Sequence, residues 1–324
     1  QRQGAAGLAQ AQRLMQALEA RGRLDRAVEF LPGDPEIARR LAAGEGATRP
    51  ELAVLLAYAK LSFFDDLIAS DLPDDPYFAD ELDRYFPAAI RERFPDAVSG
   101  HRLRREIVAT QLANIVINRC GPAAIARFAD EAGADAPAVA AAYALTRDSF
   151  GLLDLNGAID ALDTRIGGSV QLELYAAVQA MLTGRMSWFL RNVDLGAALG
   201  PQVQRFKAGV DAARGSTLDL ITPAQAEAGR QRIAEWTAKG VPEEIATRIV
   251  GLTALSAAPD AVLVAEQTGV PVAEALKTLF ALAERLQVGR IKRAAADIHI
   301  ADRFERLAAD RAGDTMDTAL RRLG

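Results

Sequence analysis

The chain holds one cysteine, Cys120, and two histidines, His101 and His299. A single cysteine excludes an intrachain disulfide and fits a reducing compartment, so a cytoplasmic location is expected. The histidines lie far apart, and neither has a Cys or a second His at ligand spacing, which argues against zinc. Cys120 precedes Gly-Pro at an expected helix C-terminus, where the macrodipole disfavours a thiolate, so packing is its expected role. Long apolar runs are missing: Leu52 to Ala59 is about half what a bilayer span needs. No apolar signal-peptide core stands at the N-terminus. Strand patterns are almost absent, and there is no Gly-x-Ser-x-Gly elbow. The pair Gly44 and Gly46 follows no strand and lacks the third glycine of a dinucleotide loop. Lysine is confined to Lys60, Lys207, Lys239, Lys277 and Lys292. Arginine and alanine take over, which carries no functional message.

The chain has 324 residues, half of them hydrophobic and a quarter charged, with a net charge of -5. This is the composition of an ordinary soluble globular protein, large enough for about two domains. The mild charge gives no reason to expect nucleic acid or an anionic membrane as partner. Residue 1 is Gln and the first methionine is Met15, so a piece of a longer protein, or a chain whose start has been removed, is expected.

Helix signals fill what remains. Thr48 can cap a helix with Pro50 in its first turn and Glu51 completing a capping box. Leu52, Leu55, Leu56, Ala59, Phe63 and Leu67 follow at spacings of three and four, one buried stripe of a long amphipathic helix. Gly121-Pro122 ends one helix and opens another, Gly133 stops that one, and Pro137 starts a third running to about Phe150. Prolines 201, 223, 242, 259 and 271 read as further helix starts. The triplet Val262-Leu263-Val264 resembles a short strand, but it sits in a helix-length segment without hairpin turns. The expected fold is all-α, a multi-helix bundle without a Rossmann domain.

A duplication is one reading of two segments, from Ala109 and from Ala246. Each runs Ala-Thr, an apolar helix, a proline, a short helix closed by glycine, then a proline-started helix. Gly133 aligns with Gly269 and Phe150 with Leu286. The other reading is that any two helical hairpins share this punctuation. A duplication would make two related helical subdomains. The expected division is a connector with short helices at 1–47, frayed over its first ten residues, then subdomains at 48–213 and 214–324.

The acids after Phe64 invite a metal or acid–base reading. Residues 61–83 carry eight acids and neither Lys nor Arg. Asp65 and Asp66 are adjacent on a helix and diverge, whereas Asp71, Asp74 and Asp75 flank prolines, where Asp caps the next helix. The segment lacks the alternate ligands and central glycine of a calcium loop. A solvated, capping face is expected, with no metal or catalytic residue. Arg102, Arg104 and Arg105 are expected on a helix, paired with acids of the same domain or of a partner. These eight residues form the candidate partner surface. Trp188 and Phe189 are read as core, the alternative being an aromatic anchor.

Several stretches carry a family resemblance: "GRLDRAVEFLP", "TRPELAVLLAYAKLSFFDDLIASDLPDDPYF", "YFPAAIRERFPDAVSGHRLRREIVATQLAN", "NRCGP" and "IDALDTRIGGSVQLELYAAVQAMLTGRMSWFLRN". They resemble the C-terminal region of the large-subunit bacterial NAD-dependent glutamate dehydrogenases, most specifically in "TRPELAVLLAYAK". That resemblance implies a parent enzyme that oxidises L-glutamate to 2-oxoglutarate and ammonia with NAD. It also implies that the nucleotide and substrate sites lie upstream, so no catalytic or cofactor-binding residue is carried over. The segment alone would be inactive and would need no cofactor, with NAD serving the parent enzyme. Its partners would be the upstream catalytic domain of the same chain and further copies in a homo-oligomer. The alternative from another class is a free-standing helical adapter that binds a protein or peptide in a groove.

Overall fold

The computed structural model describes residues 4–214, 222–298 and 303–323. Those residues form 18 α-helices and two 3-10 turns, with no strand. The all-α expectation therefore holds. By contacts the described residues fall into two units, one within 1–144 and 186–200, the other within 145–185 and 201–324. This division lies elsewhere than the boundary near 213, and residues 215–221 beside that boundary lie outside the described residues.

In the first unit, α1 (Gly4–Ala20) buries Leu8, Ala11, Leu14, Met15 and Leu18. Of the ten residues expected to fray, 4–10 are helix, because an apolar stripe at spacings of three and four begins at Leu8, and 1–3 lie outside the described residues. A clamped loop leads to α2 (Asp34–Ala42) and then to α3 (Arg49–Ile68). The capping box at α3 is formed: Glu51 N–H donates to Thr48 Oγ1 at 3.4 Å, and Thr48 N–H donates to Glu51 Oε2 at 2.7 Å. The stripe buries Leu55, Ala59, Phe63 and Leu67 together with Ser62, while Leu52 and Leu56 are half-buried.

Two 3-10 turns, Leu72–Asp74 and Pro76–Phe78, lead to three short helices: α4 (Ala79–Tyr85), α5 (Ala88–Arg93) and α6 (Pro95–Ser99). The long α7 (Arg104–Cys120) packs along α3 and on α4. It buries Val108, Leu112, Val116 and Ile117 in the interior shared with Phe63 and Phe78 of this unit. Gly121 caps α7 with φ 93° and Gly133 closes α8 (Ala124–Ala132) with φ 65°. Both conformations suit glycine, which has no Cβ to clash. α8 packs on α1.

Next come α9 (Ala136–Ser149), α10 (Leu152–Asp160), α11 (Gly168–Asn192) and α12 (Leu199–Arg214), and the division into units falls within α9, α11 and α12. Trp188 and Phe189 are buried in the first unit with rings edge-on at 5.2 Å, as core residues.

The second unit continues with α13 (Pro223–Ala238), α14 (Glu243–Leu255), α15 (Ala258–Thr268), α16 (Val272–Arg285), α17 (Val288–Ala296) and α18 (Arg303–Leu323). Thr222 and Gln225 form a second capping box around Pro223. Pro242 and Pro271 are N-caps, and Pro259 stands in the first turn of α15, so Val262-Leu263-Val264 is helical. α13 pairs with α14, α15 with α16, and α18 packs on both α15 and α16. The two suspected copies share the order helix, helix, left-handed glycine, helix. In the second, α15 lies along α16; in the first, α8 packs on α1. No single described helix is long and apolar enough to cross a membrane.

Candidate interaction surface

The acidic stretch and the basic cluster meet within the first unit. Arg104 Nη2 donates to Asp74 Oδ1 at 2.8 Å. Arg105 also pairs with Asp74, and its Nη2 donates to the carbonyls of Ile68 and Ser70, each at 3.0 Å. Those carbonyls belong to the end of α3, where helical acceptors run out of partners. Arg105 thus acts as a C-terminal clamp, and the pairing inside the domain is found. Arg102 differs from its expectation, since it lies in the exposed turn before α7 rather than on a helix. The helix starts two residues later because His101 Nδ1 accepts the Leu103 N–H at 3.2 Å, holding a turn.

Asp65 and Asp66 do diverge, but both are partnered: Asp65 by Arg23 and Asp66 by Arg21, in the segment that follows α1. Asp75 Oδ1 accepts from Tyr77 N–H at 2.9 Å, as the capping reading requires. Asp71 is exposed at the head of the first 3-10 turn, with no cap bond from its side chain. Among the described residues, no group of three or more His, Cys, Asp and Glu side chains is placed to hold a metal ion. His299 lies outside the described residues.

Cys120 is buried, its Sγ 3.6 Å from Met186 Sδ, and burial pushes its thiol up to about 12. Its burial fits the packing role expected of it. At the other extreme, the half-exposed Glu36 is held down to about 2 by hydrogen bonds from Arg39 and Arg40.

Two features escape sequence reasoning. One is a polar cluster in the second unit. Arg185 Nη1 donates to the Ser256 carbonyl at 2.6 Å and lies 4.0 Å from Asp260, which also binds Arg321 at 2.8 Å. Burial pushes the Arg185 guanidinium below its usual range, opposed by Asp260, Asp317 and Asp314. These residues span three helices, so no local pattern announces them. The other is a set of exposed apolar side chains in the first unit. From 83 to 97 only Phe86 is partly covered, α5 buries nothing, and Tyr85, Ile90 and Phe94 face solvent. On the opposite flank of the sequence, Phe30 is 93% exposed. A separate groove of about 340 Å³ is apolar, walled by Leu14, Leu52, Leu55 and Pro122, with Gln10 the longest polar side chain at its edge.

Among the described residues, the arginines and carboxylates of this surface hold helix ends and each other. Comparison with known proteins supplies the context. A family model described as "Glutamate dehydrogenase, C-terminal" matches residues 44–324. The NAD-specific glutamate dehydrogenase of Pseudomonas aeruginosa is 33% identical over 317 residues, covering 98% of this chain and 20% of that protein. The protein of the same name from Halomonas elongata is 33% identical over 96% of this chain and 19% of its own length. That of Mycobacterium tuberculosis is 34% identical over 93% and 18%. The chain therefore spans about a fifth of the length of the curated relatives it matches. With the family model covering most of its helices, the chain belongs to the glutamate dehydrogenase C-terminal family.

Proposed function

We propose that this chain is the non-catalytic helical part of an NAD-dependent glutamate dehydrogenase, and that it serves the enzyme by packing on the rest of the polypeptide. The observation that carries this reading is the family match over residues 44–324 by a segment a fifth the length of its relatives. Among the described residues the regular elements are helices, several of the acids and arginines singled out pair within their own unit, and the one cysteine is buried. The parent reaction, L-glutamate with NAD and water to 2-oxoglutarate, ammonia and NADH, is assigned to residues outside this segment. A homo-oligomeric, cytoplasmic enzyme is part of the same reading.

Asp65, Asp66, Asp71, Asp74, Asp75, Arg102, Arg104 and Arg105 take a revised role in it. Because Asp65, Asp66 and Asp74 are bound by arginines of their own unit, they shape the surface more than they offer charge to a partner. Asp71 and Arg102, exposed and without a role in the pairings above, are the members through which a rim contact would run. The test is glutamate-dependent NADH formation by the 324-residue chain and by the full-length enzyme. The reading expects activity only in the latter; turnover by the short chain overturns it.

A further inference from the structure

The loop between α1 and α2 is tied down at nearly every residue. Arg26 donates through Nε and Nη2 to Glu19 at 2.7 and 2.9 Å, and through Nη1 to Asp34 at 2.9 Å and the Pro32 carbonyl at 3.3 Å. Asp25 Oδ1 accepts from Ala27 N–H at 2.9 Å and from Val28 N–H at 3.3 Å. Tyr58 Oη donates to Glu29 Oε1 at 2.6 Å, and Leu31 is buried. Within this clamped loop Phe30 has φ 53°. Left-handed backbone is costly for a bulky non-glycine residue and persists only where its surroundings impose it. What the strain achieves here is to aim a phenylalanine outward, 93% exposed, beside Val28 at 66%.

A further exposed apolar side chain stands on α3, the helix that Tyr58 ties to this loop. Tyr58 and Asp65 carry contacts to the loop and to Arg23. Leu61 lies on the helix face between them, one turn from each, and is 60% exposed. Next to Leu61 the α3 carboxylates are paired, Asp66 with Arg21 and Asp65 with Arg23, while Glu29 and Asp25 in the loop accept from the Tyr58 hydroxyl and from backbone N–H groups. The result is an apolar knob whose neighbouring carboxylates are held by hydrogen bonds or ion pairs, the form of an anchor residue that fills a partner's pocket.

We propose that Phe30, flanked by Val28 and Leu61, docks into an apolar pocket on the part of the same glutamate dehydrogenase polypeptide that lies outside these 324 residues. This rests on the reading under Proposed function and names the surface through which the packing occurs. Size selects the occupant. Each buried aromatic contributes on the order of 150–250 Å², so the knob supplies a few hundred at most. A free-standing complex or dimer needs about 1,200–2,000 Å² in total. A covalently tethered partner needs far less, because the tether sets a high effective concentration. Relatives of which this chain covers only 20% have ample chain to provide that pocket.

Hydroxyl-radical footprinting of the wild-type full-length enzyme tests whether Phe30 is covered. The expected result is oxidation of Phe30 at least about tenfold slower in the native enzyme than in denaturant, as for a site covered nine-tenths of the time. Oxidation within about threefold of the denatured rate overturns the proposal. A benzophenone amino acid placed at position 30 of the full-length enzyme keeps the aromatic bulk and identifies the cover. Cross-links into peptides outside the 324 residues support the proposal. Cross-links into the 324 residues themselves, of the same or a second copy, or the absence of any cross-link, overturn it. Those failures leave the non-catalytic reading standing, because that reading falls only if the short chain turns over glutamate.

Discussion

Arg104 Nη2 lies 2.8 Å from Asp74 Oδ1, joining the first turn of α7 to the 3-10 turn that follows α3. Its neighbour Arg105 does a different job, bonding two carbonyls at the end of α3 as well as Asp74. The two should therefore differ on truncation. Arg104→Ala removes a half-exposed ion pair and should cost about 0–1 kcal/mol. Arg105→Ala strands two acceptors at a helix end and should cost about 1–3 kcal/mol. Urea denaturation of both variants checks the order; a reversed order would remove the clamp assigned to Arg105.

Gly209 of α12 is a packing glycine. A Cβ built there would stand 2.1 Å from Val262 Cγ2. Alanine would gain roughly 1 kcal/mol of helix propensity over glycine. Overpacking against a stiff β-branched neighbour costs typically about 1–3 kcal/mol. The clash should win, so Gly209→Ala lowers the melting temperature. The double variant Gly209→Ala, Val262→Ala should destabilise less than the separate effects added together. Strict additivity in that cycle would show that the contact is not limiting.

How much of this could be read from sequence depends on range. The capping boxes at Thr48 and Thr222, the proline starts and the glycine stops act over a few residues, so they are visible as strings. The buried stripe of α3 is legible for the same reason. The partners of the acids are not. Arg21 and Arg23 reach Asp66 and Asp65 across 45 and 42 residues, a pairing that exists only once α1 lies against α3. Arg102 misses its helix because one imidazole closes a turn, a local event no periodicity encodes. Phe30 is the extreme case: nothing in "AVEFLP" signals a left-handed phenylalanine. Charge marks the candidate partner surface in the sequence, and the structure pairs Asp65, Asp66, Asp74, Arg104 and Arg105 within their own unit.

The low carboxyl of Glu36 sets a pH window. Its native value of about 2, held by Arg39 and then Arg40, lies below the ordinary value of 4.5. A lowered carboxyl means the unfolded chain binds the proton more readily. The contribution is therefore complete above about 4.5 and is lost as pH falls towards 2. Carbon-detected NMR of the Glu36 carboxyl should give a midpoint well below an ordinary glutamate. In Arg39→Ala, Arg40→Ala the midpoint should return upward; an ordinary midpoint in the wild type would contradict the pairing.

Cys120 carries the opposite shift, and its sign differs in consequence. Burial raises the thiol to about 12 from 9.0. The native state then retains a proton that the unfolded chain releases, so stability falls as pH rises from about 9 towards 12. At pH 8 the native thiol should resist maleimide and become reactive only on unfolding. Rapid modification of the folded chain would refute its burial against Met186.

Asp260 is where the second unit concentrates buried charge. Its carboxylate serves Arg321 at 2.8 Å and faces Arg185 at 4.0 Å, and all three side chains are at most one-fifth exposed. Removing one member of such a group leaves the others charged in a poor dielectric, at a cost that reaches about 3–5 kcal/mol for full burial. Partial access to water places Asp260→Ala towards the lower part of that range. Arg321→Met should be milder, because Asp260 keeps Arg185 and the aliphatic volume is preserved. Guanidinium denaturation distinguishes them. If Asp260→Ala proves no worse than Arg321→Met, the carboxylate is not the shared hub of this cluster.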